Sequence, residues 1–215
     1  MSSILLTPQG ALHMDLSEPT RSLSPTLHLV VLAALARTER PLSGRAVARV
    51  LAGKASQRGV SDALNHLVLH GLVLREDHPP SASFRLNRDH VASGIADLLG
   101  DLREAVRRRC AAEIDSWDDQ PEWAALFGSF VRGEGGPRSD IDLALVVDDA
   151  LEMHRERWEA HIERLANRIQ AWTGNRASII TFRRSEFLKR DEPLIDEITH
   201  QGMTVAGRQP SRTEP

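Results

Sequence analysis

The residues with the most chemical potential lie in one short stretch. Gly128-Ser129 is followed, after ten intervening residues, by Asp140-x-Asp142. In an extended strand successive side chains alternate in direction, so Asp140 and Asp142 share one face while Ile141, Leu143, Leu145 and Val147 share the other. Two carboxylates side by side offer hard oxygen ligands to a divalent cation. A glycine and a hydroxyl at a strand-to-helix junction present backbone N–H groups, which attract phosphate. Together they describe metal-nucleotide chemistry.

The elements that must position these residues can be read around them. Trp123 to Phe127 is a short apolar strand, and Phe130 to Arg132 a brief amphipathic turn. A Gly/Pro-rich loop, 133–137, leads into the strand from Ser139 to Val147. Asp149 with Glu152 forms a capping box opening a helix whose stripe is Leu151, Trp158, Ile162, Leu165, Ile169 and Trp172. After Gly174 a further strand runs from Ala177 to Phe182, and the segments 193–198 and 201–207 close the pattern.

Gly128-Ser129-x10-Asp140-x-Asp142 resembles the GSx10DxD signature of the polymerase-β-like nucleotidyltransferases, and specifically their minimal nucleotidyltransferase group. The resemblance covers residues 121–207. It implies that Gly128 and Ser129 hold the terminal phosphates of a nucleoside triphosphate, ATP foremost, with Ser139 and Arg132 also at the nucleotide and Arg138 nearby. It implies Mg2+ on Asp140 and Asp142, the two catalytic residues. Members of the minimal group often act as antitoxins that nucleotidylate a partner toxin, so a protein acceptor such as a cognate toxin is expected; larger relatives modify aminoglycosides. The chain departs from the pattern at one place. Active members commonly carry a third carboxylate on the strand after the long helix, where it serves as general base. Along residues 176–182 there is no acid, and Ser178 or Ile180 stands where one is expected. Glu186 lies beyond the strand. Two readings therefore stand at this point: a Mg2+-dependent enzyme transferring a nucleoside monophosphate to a hydroxyl, or a regulator whose degenerate domain senses a nucleotide or supports assembly.

The first half of the chain has a different character. The net charge of -3 divides into +3 over residues 1–90 and -6 over residues 91–215. Between Arg37 and Arg58, six cations (Arg37, Arg40, Arg45, Arg49, Lys54 and Arg58) face only Glu39, which points to a polyanion partner for that end. Residues 1–24 form an irregular arm. Leu27, Val30, Val31, Ala34 and Leu35 mark a first helix, Ser43 caps a second, and Ser56 caps a third in which Val60, Leu64, Leu67 and Val68 face inward. Leu72 to Arg75 and Ser83 to Leu86 make a hairpin with its tip at 77–81. This order, in residues 25–87, resembles the winged helix-turn-helix family. The resemblance implies a double-stranded DNA partner, with Gln57, Arg58, Ser61, Asn65 and the preceding Lys54 at the interface. Residues 88–118 read as one long connecting helix with Val91, Ile95, Leu98, Leu102, Val106, Cys110 and Ile114 as its stripe, followed by the nucleotidyltransferase-like domain at 119–207 and a disordered tail at 208–215. The overall expectation is an α+β chain: a winged helix followed by an α/β domain with a small mixed sheet, able to form a homodimer.

Other chemistries are excluded. A single cysteine, Cys110, forms neither an internal disulfide nor a cysteine zinc site, and on the apolar stripe it reads as a buried hydrophobe. There is no H-E-x-x-H, no P-loop and no G-x-S-x-G elbow. His154 and His161 read as flanks of a packing stripe, and Arg107 to Arg109 as a solvated face. No apolar run reaches the roughly 18 to 20 residues of a membrane span, and the start of the chain lacks an export signal, so a cytoplasmic protein without a membrane partner is expected.

Overall fold

The structure, a computed structural model, describes residues 13–150, 155–189 and 192–211. Two compact units emerge, Glu18–Glu104 and the remainder, in which residues up to Ser17 join residues from Ala105 onward. In the N-terminal unit a 3-10 turn, Pro19–Ser22, precedes α1 (Leu27–Ala36), β1 (Leu42–Ser43), α2 (Gly44–Val50), α3 (Gln57–Leu69), β2 (Val73–His78), β3 (Ser81–Leu86) and α4 (Ser93–Gly100). The three strands are antiparallel in the order β1-β3-β2.

Apolar residues surround α1, and Val30 through Leu35 are all buried, so this helix is the central post of the unit rather than a surface helix with one inward face. The hydroxyl of Ser43 accepts the Ala46 N–H at 3.2 Å and that of Ser56 accepts the Gly59 N–H at 3.1 Å, which starts α2 and α3 at the expected caps. The hairpin is longer than its sequence implies. Asp77 and His78 extend β2, and only Pro79 and Pro80 separate the strands. Arg85 on β3 pairs with Glu76 on β2, while Arg75 pairs with Asp77 along its own strand, so charged residues that read as a loop tip are held in the ladder.

The long helix expected over 88–118 is broken. α4 ends at Gly100, and α5 begins at Leu102 and runs to Ile114. Val91, Ile95 and Leu98, expected on the buried stripe, are 99%, 58% and 69% exposed; the helix instead buries Ala96 and Leu99. α4 meets α1 at Gly100, where a Cβ would sit at ordinary contact distance, 3.5 Å from the Ala33 carbonyl oxygen and 3.6 Å from Ala36 Cβ. The face that meets α1 thus carries Ala96 and Leu99, and apolar spacing alone does not reveal that. α5 keeps its stripe, with Val106, Cys110 and Ile114 buried. Burial pushes the Cys110 thiol up to about 12, helped by the Glu113 charge, as befits an inert packing residue.

In the C-terminal unit α5 is followed by β4 (Trp123–Phe127), α6 (Gly128–Arg132), β5 (Ile141–Val147), α7 (Arg155–Thr173), β6 (Ala177–Arg183), α8 (Arg184–Lys189), α9 (Pro193–Gln201) and β7 (Met203–Gly207). The mixed sheet has the order β6-β5-β4-β7, with β5 and β6 parallel and the other pairs antiparallel. One face, carrying Leu126, Leu143, Leu145 and Val147, packs with Ile114, Leu165 and Ile169 from α5 and α7. Each such fully buried side chain contributes roughly 1.5–3 kcal/mol. The other face, with Ala125, Phe127, Ala144, Val146 and Phe182, packs with Phe187, Ile195 and Ile198 from α8 and α9. Among the described residues, no helix is long and apolar enough to cross a membrane.

The described part of the arm, residues 13–24, is not irregular throughout. Leu16 is fully buried in the core beneath the sheet, and the Met14 N–H donates to Asn175 Oδ1 at 3.0 Å and to the Thr173 carbonyl at 2.8 Å. Residues 208–210 are ordered as well: the Arg208 N–H donates to Glu122 O and the Gln209 amide to Thr199 O, and Pro210 is buried, so these belong to the fold rather than to a disordered tail. Leu151, Glu152 and His154 lie outside the described residues. The capping box of Asp149 with Glu152 therefore falls partly outside the described residues, and the described part of α7 begins at Arg155. The Asp149 carboxylate accepts from the backbone N–H and hydroxyl of Ser185, tying the end of β5 to the start of α8.

A polar cluster under α7 gives the unit a pH dependence. Glu113, 7% exposed, holds Arg164 at 2.6 Å and Arg168 at 2.7 Å. Arg164 also donates to Nδ1 of His161, a ring stacked on Trp117 with centroids 4.9 Å apart and planes 6° apart. Because Nδ1 accepts, the proton of neutral His161 sits on the buried Nε2. Burial, and then the Arg164 charge, push the His161 pKa below its usual value, although Asp118 and Asp119 oppose this. The unfolded chain therefore takes up this proton first as the pH falls through about 6.5, and folded stability is lost below that point. In urea titrations at pH 7.5 and 5.5, the acid-side loss is expected to shrink in His161→Gln; an equal loss in both proteins would contradict this. Gly128, with φ +73°, joins β4 to α6 in the left-handed region. Gly128→Ala should cost about 1–3 kcal/mol in the same titration, and an unchanged midpoint would count against it.

Candidate active site

The two aspartates reach their positions through the sheet. Asp142 lies within β5, opposite Phe127 on β4 and Ser178 on β6. Its parity matches Ala144 and Val146, so it points to the face covered by α8 and α9. Asp142 is half-buried, and Asp140, just before the strand, is exposed. The turn at Gly128 passes directly over Asp142: a Cβ on Gly128 would collide with Asp142 Oδ2. The glycine is therefore required twice, by its backbone angle and by the carboxylate beside it.

The loop between α6 and β5 is held from below. Asn175, fully buried, donates its side-chain amide to the carbonyls of Pro137 at 3.2 Å and Ser139 at 3.0 Å, while its own oxygen accepts from Met14. The Ser129 carbonyl accepts the N–H groups of Glu134 at 2.9 Å and Gly135 at 3.2 Å. The Ser139 hydroxyl, expected at the nucleotide, accepts the Gly136 N–H at 3.0 Å and so closes the loop on itself. Ser129 is half-buried next to the Gly128 turn, and Arg138 is exposed.

Charge is crowded here. The Asp142 carboxyl is pushed up from its ordinary value, first by burial, then by the neighbouring charges of Asp140 and Glu197. Arg132 and a hydrogen bond from Ser178 act in the opposite direction. Ser178 thus stands opposite Asp142 in the strand register, at the position where a third acid is expected. The acid that does come close is Glu197 of α9, which sequence reasoning missed. Its only sequence signal is its position next to Ile198, whose burial pins that turn of α9 to the sheet. Arg132 Nε donates to Glu134 at 2.8 Å and its Nη1 to Glu197. These two pairings, Glu134 first, hold Arg132 firmly in its cationic form.

The donor set suits a hard divalent cation: two carboxylates at one end of a strand, with excess negative charge around the more buried one. Among the described residues no group of three or more His, Cys, Asp or Glu side chains is arranged to hold a metal.

The residues expected at DNA fall on α3 and just before it. Gln57, Arg58, Ser61 and Asn65 are all exposed along that helix, where Asp62 joins them. Lys54 is half-buried and drawn to Glu18 at 3.3 Å, which reduces the positive charge it offers to a partner.

Comparison with known proteins bears on the second unit. No curated protein matches the chain. Among solved structures, one described as a toxin-antitoxin with AMP-PNP has a chain 23% identical to this one, over 48% of this chain and 74% of that chain, with a TM-score of 0.34. The family model described as Polymerase beta, Nucleotidyltransferase matches residues 112–210, a stretch that contains Gly128, Ser129, Asp140, Asp142 and Glu197. Residues 112–210 are thus a polymerase β nucleotidyltransferase domain.

Proposed function

We propose that the C-terminal unit transfers a nucleoside monophosphate from a triphosphate, ATP foremost, to a hydroxyl acceptor, and that the N-terminal unit is a winged helix that docks on double-stranded DNA. The observation that carries the first part is the close approach of Gly128 to Asp142 within the family-matched domain, which sets the Gly128 turn beside that carboxylate. In this reading Gly128 and Ser129 face the terminal phosphates, and Arg132 adds a cation beside them. Asp140 and Asp142 would hold Mg2+, which when bound neutralises the charge developing on the leaving pyrophosphate. The acceptor oxygen bonds to the α-phosphorus as the α–β anhydride opens. Ser178 is no base near neutral pH, so the hydroxyl proton leaves to solvent. A protein acceptor, as in the antitoxins of the minimal group, is the favoured class.

A second reading is favoured by Ser178 itself: a winged-helix regulator in which the domain senses a nucleotide without turning it over. Helix order, the caps at Ser43 and Ser56 and the exposed face of α3 support the DNA-binding part in both readings.

Incubation with labelled triphosphates, Mg2+ and a host lysate separates the two readings. Transfer of label to a macromolecule, reduced at least about 100-fold in Asp142→Asn, is expected from the enzyme. Binding of nucleotide without any transfer would leave the regulator. Because burial and the charges of Asp140 and Glu197 disfavour the ionised form of Asp142, Asp142→Asn is also expected to melt about 2–4 °C higher than the unmutated protein in chelator at pH 7. A lower melting point would contradict this electrostatic picture. On the DNA side, Arg58→Ala should weaken duplex binding and reduce the slope of log affinity against log salt by about one, and an unaltered slope would remove α3 from the interface.

A further inference from the structure

Arg132 closes α6, and its side chain is 37% exposed, so nothing in its own helix dictates where the guanidinium points. Two carboxylates hold it, and they differ in kind. Glu134 is two residues away on the same loop and 65% exposed, so it travels with the loop. Glu197 is 28% exposed and belongs to α9, where Ile195 and Ile198 are buried against the sheet face that Asp142 shares. The Glu197 pairing is therefore the one that ties Arg132 to the sheet. Nη1 and Nε are taken, while Nη2 makes no hydrogen bond among the described residues and keeps its donors for an incoming anion. Arg132 ends the five-residue helix whose first residue, Gly128, lies against the Asp142 carboxylate, so it belongs to the turn over that aspartate.

We propose that Glu197 is a positioning residue that fixes Arg132 against the sheet, so that the free edge of the guanidinium selects a triphosphate over a monophosphate at the Gly128–Asp142 site. This rests on the nucleotidyltransferase reading above and adds to it a determinant of phosphate number. Glu197 does not act as a base, since the carboxylate is committed to Arg132. It does not touch the nucleotide either, and its effect passes through the arginine.

The test is calorimetric binding of a non-hydrolysable ATP analogue and of AMP to the full chain with Mg2+. In Glu197→Ala, triphosphate affinity should fall about tenfold and AMP affinity change less than about twofold, the scale of one charge-assisted contact. Glu197→Gln, which keeps an acceptor oxygen for Arg132, should recover most of the loss and also controls for folding. Arg132→Ala should show the same loss as Glu197→Ala, and the double variant no further loss, because both act through one guanidinium. Additive losses, tighter triphosphate binding in Glu197→Ala, or an equal loss for AMP would overturn the proposal. If the unmutated protein bound neither nucleotide, the underlying site reading would fall instead, which keeps the two failures apart.

Discussion

The register of β4 on β5 is the constraint on which the rest of the site depends. Pairing Phe127 with Asp142 means that the chain leaves β4 at the very level of the carboxylate and must turn over it. Only a residue without a side chain fits between, and only a left-handed backbone angle makes the turn, so Gly128 is doubly determined. A slip of one residue would carry Asp142 to the opposite face, into the cluster of Leu143, Leu145 and Ile169. The same buried cluster that makes such a slip costly thereby keeps the aspartate beside the turn. Packing holds the chemistry in place, although no packing residue takes part in it.

The electrostatics follow from that placement. Asp142 sits half-buried between the charges of Asp140 and Glu197, an arrangement that costs stability and that a cation would relieve. Arg132 offsets part of this charge, but two carboxylates already claim it. In the proposed reading, a metal-bound polyphosphate would answer both, its cation meeting the carboxylates and its phosphates the arginine. Structure elsewhere is spent on holding the loop. Asn175, buried beneath residues 137–139 and bonded to Met14, links the start of the described chain, the end of α7 and the entry to β5.

What the sequence made legible was local. The Gly128-Ser129 and Asp140-Asp142 spacing, the apolar strands, the serine caps of α2 and α3 and the absence of an acid on β6 are all patterns within a few residues of one another, where alternation and capping act. What it hid was long-range. Leu16 lies more than a hundred residues from most of the core it joins, and Glu197 meets Arg132 across 65 positions. Apolar spacing points to Val91, Ile95 and Leu98 as the inner face of this segment, whereas the packing of α4 buries Ala96 and Leu99, a choice made by a partner helix distant in sequence. Asp149 accepts from Ser185, a partner 36 positions away that its local pattern does not reveal.

The central claim is that the turn at Gly128 and the carboxylates of Asp140 and Asp142 form one binding site for a metal-bound triphosphate. A crystal structure grown with Mn2+ and a non-hydrolysable triphosphate addresses it directly, because the anomalous signal locates the ion without reference to the nucleotide. An anomalous peak is expected between the carboxylates of Asp140 and Asp142, with phosphate oxygens reaching from it to the backbone of Gly128 and Ser129. A nucleotide bound elsewhere, or one bound at the turn with no ion on the aspartates, would contradict it.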